Sequence, residues 1–186
     1  MGRWGTLTKW LRSDTALLLG LALIGLIVHL VFSRGYGYFR DEFYYLAAAR
    51  RLDFGYLEFP AGIALIAALT RALLGESLLA LRFLPSVAGA AIVLLAGLMA
   101  RELGGKRFAQ GLAALAVLAA PVFLGSAGIL TMDPFDQLCW VLCAYFLVRI
   151  LKRDEPKTWL LFGLVAGLGL EVKVTILYFG AAMVIG

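Results

Sequence analysis

The sequence has few of the residues from which disulfide frameworks and metal centres are built. Only 16% of its 186 residues are charged, and it contains one histidine and two cysteines. The cysteines, Cys139 and Cys143, lie four apart in an apolar run, which favours packing on one side of a helix over redox chemistry. No group of histidine, cysteine and aspartate residues has metal-ligand spacing, and no glycine-rich phosphate loop occurs. The sequence therefore predicts no cofactor and gives no support for a divalent cation.

The basic residues are also too dispersed for a nucleic-acid surface. The net charge is +5, but the lysines and arginines occur in short clusters between apolar runs. Such a pattern is typical of topology control in a membrane protein. We therefore exclude nucleic acid as a partner and expect membrane lipids instead.

Apolar residues dominate the chain. They make up 62% of it, with a mean hydropathy of +0.92, whereas soluble domains contain about 45–50%. Runs long enough to cross a bilayer predict spans at about 15–32, 83–100, 108–127 and 134–151. A fifth region, 158–186, is broken by Glu171 and Lys173. We predict an all-α integral membrane protein with a polytopic helix bundle. Because the sequence stops within an apolar run, we expect residues 1–186 to be the N-terminal part of a transmembrane domain, inactive alone.

The segment 60–75 decides the topology, because it is short and interrupted by Arg71. If it crosses the membrane, the acids near residues 41 and 133 lie on opposite sides. If it lies in the interface, the N-terminus and the other basic loops share the cytoplasmic side, as the positive-inside rule favours. The loop 34–82 is then an outer loop with two interfacial helices, one over 41–53 and one opened by Pro60.

Acidic residues near the membrane boundary are the candidates for chemistry. Asp41 and Asp133 could each cap a helix, or point a carboxylate into a cavity, since ionisable groups at such positions are costly and usually functional. Glu42 and Glu58 could equally be solvated acids near helix starts. Lys173 needs a partner in its apolar run, either Glu171 or an anionic ligand.

Four segments occur in an order that resembles a known family. They are "GYFRDEFYYLAAARRLDFGYLEFPAG", "LLALRFLPSVAGAAIVLLAGLMARELGG", "TMDPFDQLCW" and "WLLFGLVAGLGLEVK". They resemble the N-terminal region of the GT-C membrane glycosyltransferases of family 39 type, which include protein O-mannosyltransferases and bacterial aminoarabinose transferases. The resemblance implies a GT-C-like fold. It also implies transfer of a monosaccharide from a polyprenyl-phosphate-linked donor to a lipid, glycan or protein acceptor, on the outer face of the bacterial cytoplasmic membrane.

The resemblance also assigns site residues. It implies catalytic roles for Asp41, Glu42 and Asp133. The leaving lipid phosphate needs cations, and the available side chains on the outer side include Arg40, Arg82 and Lys173. We expect the acceptor or the cavity to contact Tyr44, Tyr45 and Glu58.

The sequence departs from the family pattern at two places. Many bacterial relatives have Asp-His-Pro-Pro where this chain has Glu58-Phe59-Pro60-Ala61. Many also have Asn-Lys or Thr-Lys where it has Val172-Lys173. Two other classes of function stay open at this point. A transporter or flippase of a lipid-linked sugar would use intramembrane charges to line a path, and a non-catalytic membrane scaffold would use its outer acids only as caps.

Overall fold

The structure is a computed structural model that describes residues 14–33, 35, 37–153 and 155–185. The N-terminal basic residues and residue 34, on which the predicted orientation partly depends, lie outside the described residues. Within the described part the chain forms helices, and its only strand-like pairing is a single bridge between Gly55 and Pro60. The helices are α1 (Asp14–Phe32), α2 (Arg40–Ala49), α3 (Ala61–Leu74), α4 (Leu78–Glu102), α5 (Arg107–Ala119), α6 (Pro121–Ser126), α7 (Asp133–Arg153), α8 (Pro156–Val172) and α9 (Ile176–Ile185).

The predicted all-α membrane bundle is confirmed. Helices α1, α4 and α7 are long and apolar enough to cross a bilayer. The predicted span at 108–127 forms two helices, α5 and α6, with Ala120 extended between them. Pro121 explains the break, because proline lacks an N–H and disfavours helical backbone in the residue before it. The region 158–186 breaks between Val172 and Ile176, next to the two charged residues.

Small residues bring the long helices together. In the core between α1, α4 and α5, Leu18 is fully buried with Val93 and Ala114. A Cβ atom at Gly97 would lie 2.2 Å from the Leu18 side chain. The missing side chain at Gly97 therefore makes room for Leu18, which is the close packing that glycine permits between membrane helices.

Two groups of polar contacts define the two ends of the bundle. At one end, Arg101 donates to Thr15 and Arg153 pairs with Glu102. At the other end, which we call the loop end, Leu130 N–H donates to Glu42 and Lys173 pairs with Asp133. The acids of the first loop and those at the start of α7 therefore share one end, as the sequence analysis favoured.

Helix α3 lies across the loop end. It has 14 residues and is therefore about 21 Å long. This length is less than the thickness of a hydrocarbon core, about 30 Å. Its start contacts the end of α8, where a Cβ at Gly62 would lie 2.3 Å from the Glu171 carbonyl oxygen. Beyond its other end, the Glu76 carbonyl accepts from the Tyr38 hydroxyl at 2.9 Å. Both ends of α3 thus belong to the loop end, and the helix does not cross the bundle.

The predicted helix at 41–53 is wrong at both ends. Helix α2 begins at Arg40 with Phe39 as its N-cap and ends at Ala49. Asp41 is therefore in the first turn and is not the cap. Glu42 is the third helical residue, and its carboxylate accepts from the Phe39 N–H at 2.7 Å, which supplies the carboxylate half of a capping box. Asp133, for which capping was one of two alternatives, is the first residue of α7.

A cysteine-labelling experiment tests the shared end. In a chain whose native cysteines are replaced, Phe54→Cys and Gly128→Cys should react with a membrane-impermeant reagent from the same side of the membrane. Lys106→Cys, at the opposite end, should react only from the other side. Reaction of the first two from opposite sides would contradict the fold.

A second prediction concerns the close contact between α3 and α8. Gly62→Ala should destabilise the protein by about 1–3 kcal/mol. The added methyl group would overlap the backbone of α8, which cannot move aside as a flexible side chain can. Gly163→Ala in α8 is the matched control, since nothing lies within 4 Å of its Cβ position. Thermal unfolding in detergent measures both. Equal stability of the two variants would show that α3 is not held closely against α8.

Candidate active site at the loop end

A buried ion pair joins α2 to α4. Glu42 is 0% exposed and Arg82 is 1% exposed. The guanidinium donates twice to the carboxylate, from Nε at 2.9 Å and from Nη2 at 2.8 Å. This fork geometry is the strongest arrangement available to an arginine and a carboxylate. The pair therefore fixes the first loop against a membrane-spanning helix.

Backbone groups complete the same cluster. Glu42 also accepts from the Leu130 N–H at 3.0 Å, and Arg82 donates to the carbonyl oxygens of Ser33 and Gly37. Burial alone would raise the pKa of Glu42. The Arg82 side chain, with the N–H groups of Leu130 and Phe39, has the larger combined effect and lowers that pKa below its usual value. Glu42 is therefore ionised at neutral pH.

This geometry favours a structural role for the pair. The two side chains were expected to act in catalysis and in phosphate binding respectively. Among the described residues, every carboxylate bond of Glu42 goes to a protein donor, and Arg82 donates to at least four acceptor atoms of the protein. The catalytic role of Glu42 and the phosphate role of Arg82 stay predictions that the structure does not support.

Three other acids lie near enough to Tyr45 for their charges to act on it. The side chain of Tyr45 is buried, and burial is the main cause of a raised pKa of about 12. The negative charges of Asp41, Asp133 and Glu58 also raise the Tyr45 pKa, because a nearby anion disfavours a phenolate. Acids from α2, from the start of α7 and from the loop before α3 therefore lie in the same region of the loop end.

Two cations accompany these acids. The Lys173 ammonium lies 2.7 Å from the Asp133 carboxylate, with the side chains 32% and 51% exposed. Of the two partners considered for Lys173, Glu171 is wrong, because the ammonium pairs with Asp133 at the start of α7; the anionic ligand stays a prediction. The Arg40 Nε lies 3.1 Å from the Asp41 carboxylate on the surface. Each predicted catalytic aspartate therefore has one predicted phosphate-binding cation beside it.

A cleft of about 470 Å³ opens beside Lys173. Its floor is the broken segment between α8 and α9, and its opposite wall is the loop that precedes α3. The cleft is lined by Gly55, Tyr56, Leu57, Glu58, Phe59, Pro60, Met132, Lys173, Val174 and Thr175.

Aromatic packing holds the wall of the cleft in place. The ring of Phe59 is buried, with its centroid 5.2 Å from those of Tyr44 and Tyr45 and 4.8 Å from that of Tyr56. The Tyr56 hydroxyl in turn donates to the Ala48 and Arg51 carbonyl oxygens. Phe59, at the position where the family resemblance suggested a histidine, therefore acts here as a packing residue between α2 and the loop.

The comparisons with known proteins identify the family of the chain. The family model for dolichyl-phosphate-mannose-protein mannosyltransferases matches residues 59–185, about two thirds of the 186 residues. The chain belongs to this family. Neither the curated proteins nor the solved structures contain a match to it. Membership indicates a membrane protein of glycosyltransferase type. The matched region of the mannosyltransferase family includes Asp133 and Lys173, while Asp41 precedes it.

Sequence reasoning missed one pair at this site. Asp136 is buried, and the Thr175 hydroxyl lies 2.8 Å from both of its carboxylate oxygens. This contact ties the broken segment between α8 and α9 to α7, next to the Asp133–Lys173 pair. The sequence does show a second acid in the first turn of α7. Its partner Thr175 lies 39 residues away along the chain, so no local sequence pattern connects the two.

The described residues contain no group of three or more metal-ligating side chains placed to hold an ion. The expected absence of a metal nevertheless stays a prediction.

Removal of the Glu42 charge tests the structural role of the pair. Glu42→Gln should destabilise the protein by about 3–5 kcal/mol, because it leaves the Arg82 charge buried and uncompensated. Glu171→Gln, on an exposed glutamate, should change stability by less than about 0.5 kcal/mol. Thermal unfolding in detergent gives both values. The double variant Glu42→Gln/Arg82→Gln should lose less than the sum of the single losses, and additivity would mean that the two side chains do not interact.

Proposed function

We propose that the chain forms part of a membrane glycosyltransferase that moves a monosaccharide from a polyprenyl-phosphate-linked donor to an acceptor hydroxyl. The observation that carries the proposal is the partly exposed Lys173–Asp133 pair beside a cleft that Glu58 lines, in the same region as Asp41, whose charge also acts on Tyr45. Family membership supplies the reaction class. We further propose that the acceptor is a lipid, glycan or protein, and that the site faces outward from a bacterial cytoplasmic membrane with no cofactor.

The proposed reaction needs a base and a cation. The acceptor oxygen forms a bond to the anomeric carbon of the sugar, and the bond from that carbon to the donor phosphate oxygen breaks. Asp41 takes the proton from the acceptor hydroxyl or orients it, since a carboxylate must be within hydrogen-bond reach of the proton that it removes. The polyprenyl phosphate leaves with the electron pair, and a nearby cation stabilises its charge.

The cations beside the acids are suited to the leaving phosphate. The Lys173–Asp133 and Arg40–Asp41 pairs are both partly exposed, and such pairs contribute little to stability. The donor phosphate carries one negative charge before transfer and up to two once the sugar has left, so it can draw Lys173 from Asp133 at small cost. Asp133 is then unpaired and assists the acceptor from across the site.

The tyrosines and Glu58 define the space for the sugar and the acceptor. Tyr45 stays protonated through the physiological pH range, because its pKa is about 12, so its hydroxyl can donate a hydrogen bond. Tyr44 is exposed beside it. Glu58 lines the cleft opposite Lys173, where its carboxylate can accept hydrogen bonds from sugar hydroxyls.

Asp41→Asn tests the proposed base. Asparagine keeps the size of the side chain and removes its charge and basicity, so folding should be normal and transfer should fall by roughly 10²–10⁴-fold. The measurement is transfer of labelled sugar from a polyprenyl-phosphate-linked donor in membranes that contain the protein. Asp53→Asn is the matched control, because Asp53 is an exposed acid of the same loop outside the site.

The outcomes separate the classes of function. A transporter would lose translocation of the lipid-linked sugar in the Asp41→Asn variant, with no loss of sugar transfer. A scaffold would keep the activity of its partners. A folded Asp41→Asn protein with normal transfer would remove Asp41 from the mechanism.

A further inference from the structure

The side of α2 that faces away from the candidate active site has its own groove. The cavity has a volume of about 600 Å³ and runs between α2 and the turn before α4. Its apolar wall and its rim are formed by Tyr38, Phe43, Leu46, Ala47, Arg50 and Arg51. Phe43, Leu46, Ala47 and Arg50 follow the spacing of one helical stripe, and that stripe is exposed or half-buried.

This groove is separate from the active site. At about 100° per residue, the stripe through Phe43 and Ala47 lies roughly opposite the stripe through Asp41 and Tyr45. The buried Glu42 lies between the two stripes and points into the bundle. A molecule in the groove would therefore not contact the acids around Tyr45.

The rim of the groove carries excess positive charge. Glu76 is its one acid, and that carboxylate lies 2.6 Å from the Arg71 guanidinium. Arg50 is 3.8 Å from Glu76, with both side chains exposed. Among the described residues, the Arg51 guanidinium has no ion pair or hydrogen bond. One acid therefore faces three arginines, and two of these are exposed at the rim.

The groove also lies at the level where a bilayer changes from hydrocarbon to headgroups. Tyr38 follows the end of α1 by six positions, and Glu76 precedes the start of α4 by two. Both helices are candidate spans, so their ends mark the membrane interface. An aromatic pair lies there as well, with the Tyr38 and Phe43 ring centroids 4.9 Å apart, as expected in an interfacial belt.

We propose that this groove binds an anionic phospholipid of the surrounding membrane. The headgroup phosphate lies between the Arg50 and Arg51 guanidinium groups, which match phosphate oxygens in geometry and charge. One acyl chain packs along Phe43, Leu46 and Ala47. The proposal concerns a structural lipid and is independent of the sugar-transfer reaction.

A fluorescent reporter within the groove tests the proposal. Phe43→Trp places an indole on the apolar wall, and the same chain without the substitution gives the background of the native tryptophans. The protein is reconstituted in phosphatidylcholine vesicles that contain a minor fraction of phosphatidylglycerol. Bromine atoms, which quench tryptophan, are placed on the chains of either lipid in turn. The preference is the quenching by brominated phosphatidylglycerol divided by that of brominated phosphatidylcholine, each taken relative to its mole fraction. We expect this ratio to exceed one, and each arginine should raise it roughly fivefold.

Two charge variants identify the origin of the preference. Arg50→Gln/Arg51→Gln in the reporter chain should bring the preference close to one. Lys106→Gln/Arg107→Gln, which removes the same charge at the opposite end of the bundle, should leave it unchanged. Quenching by each brominated lipid in proportion to its mole fraction in the bilayer would overturn the proposal, because the groove would then not select phosphatidylglycerol. An equal loss of preference in both double variants would do so too, because net charge alone would then explain it.

Discussion

The loop end of the bundle depends on one interaction, the buried pair between Glu42 and Arg82. In a medium of low dielectric constant a charged pair is tolerated only when its remaining hydrogen-bonding groups are also satisfied, and here backbone groups of three segments do this. The carbonyl of Ser33 comes from the end of α1, the Phe39 N–H from the start of α2, and the Leu130 N–H from the turn before α7. A single carboxylate thus sets the relative positions of elements that are 88 residues apart along the chain.

This anchor explains how one short helix presents three different surfaces. Consecutive helical residues point about 100° apart, so fixing Glu42 inward directs Asp41 to one side and Phe43 to the other. Asp41 faces Tyr45 and the acids of the candidate active site, while Phe43 faces the groove with its arginines. Because Glu42 fixes the rotation of α2, exchange of that side chain would disturb both surfaces at once.

The sequence predicts the helices and the grouping of the acids well. It does not predict which side chain pairs with which. Hydropathy finds α1, α4 and α7, because crossing a bilayer requires long apolar runs, and the distribution of basic residues predicts that Asp41 and Asp133 share one end. The partner of Lys173 and the burial of Glu42 are not predictable from local patterns. A glutamate in a first helical turn is usually solvated, and only Arg82, 40 residues away, makes its burial possible. Asp136 was missed for the same reason.

The two halves of the candidate site differ in how firmly they are held. Asp41 belongs to a helix that is fixed by the buried ion pair and by the packing of Phe59 against Tyr44 and Tyr45. Asp133 and Lys173 instead form an exposed pair beside the break between α8 and α9, where an incoming phosphate can replace a carboxylate. This difference suits the proposed reaction, which binds a charged donor and releases a charged lipid phosphate. In the proposed mechanism the base, Asp41, stays in place on α2, while the cation on the opposite wall, Lys173, exchanges its partner.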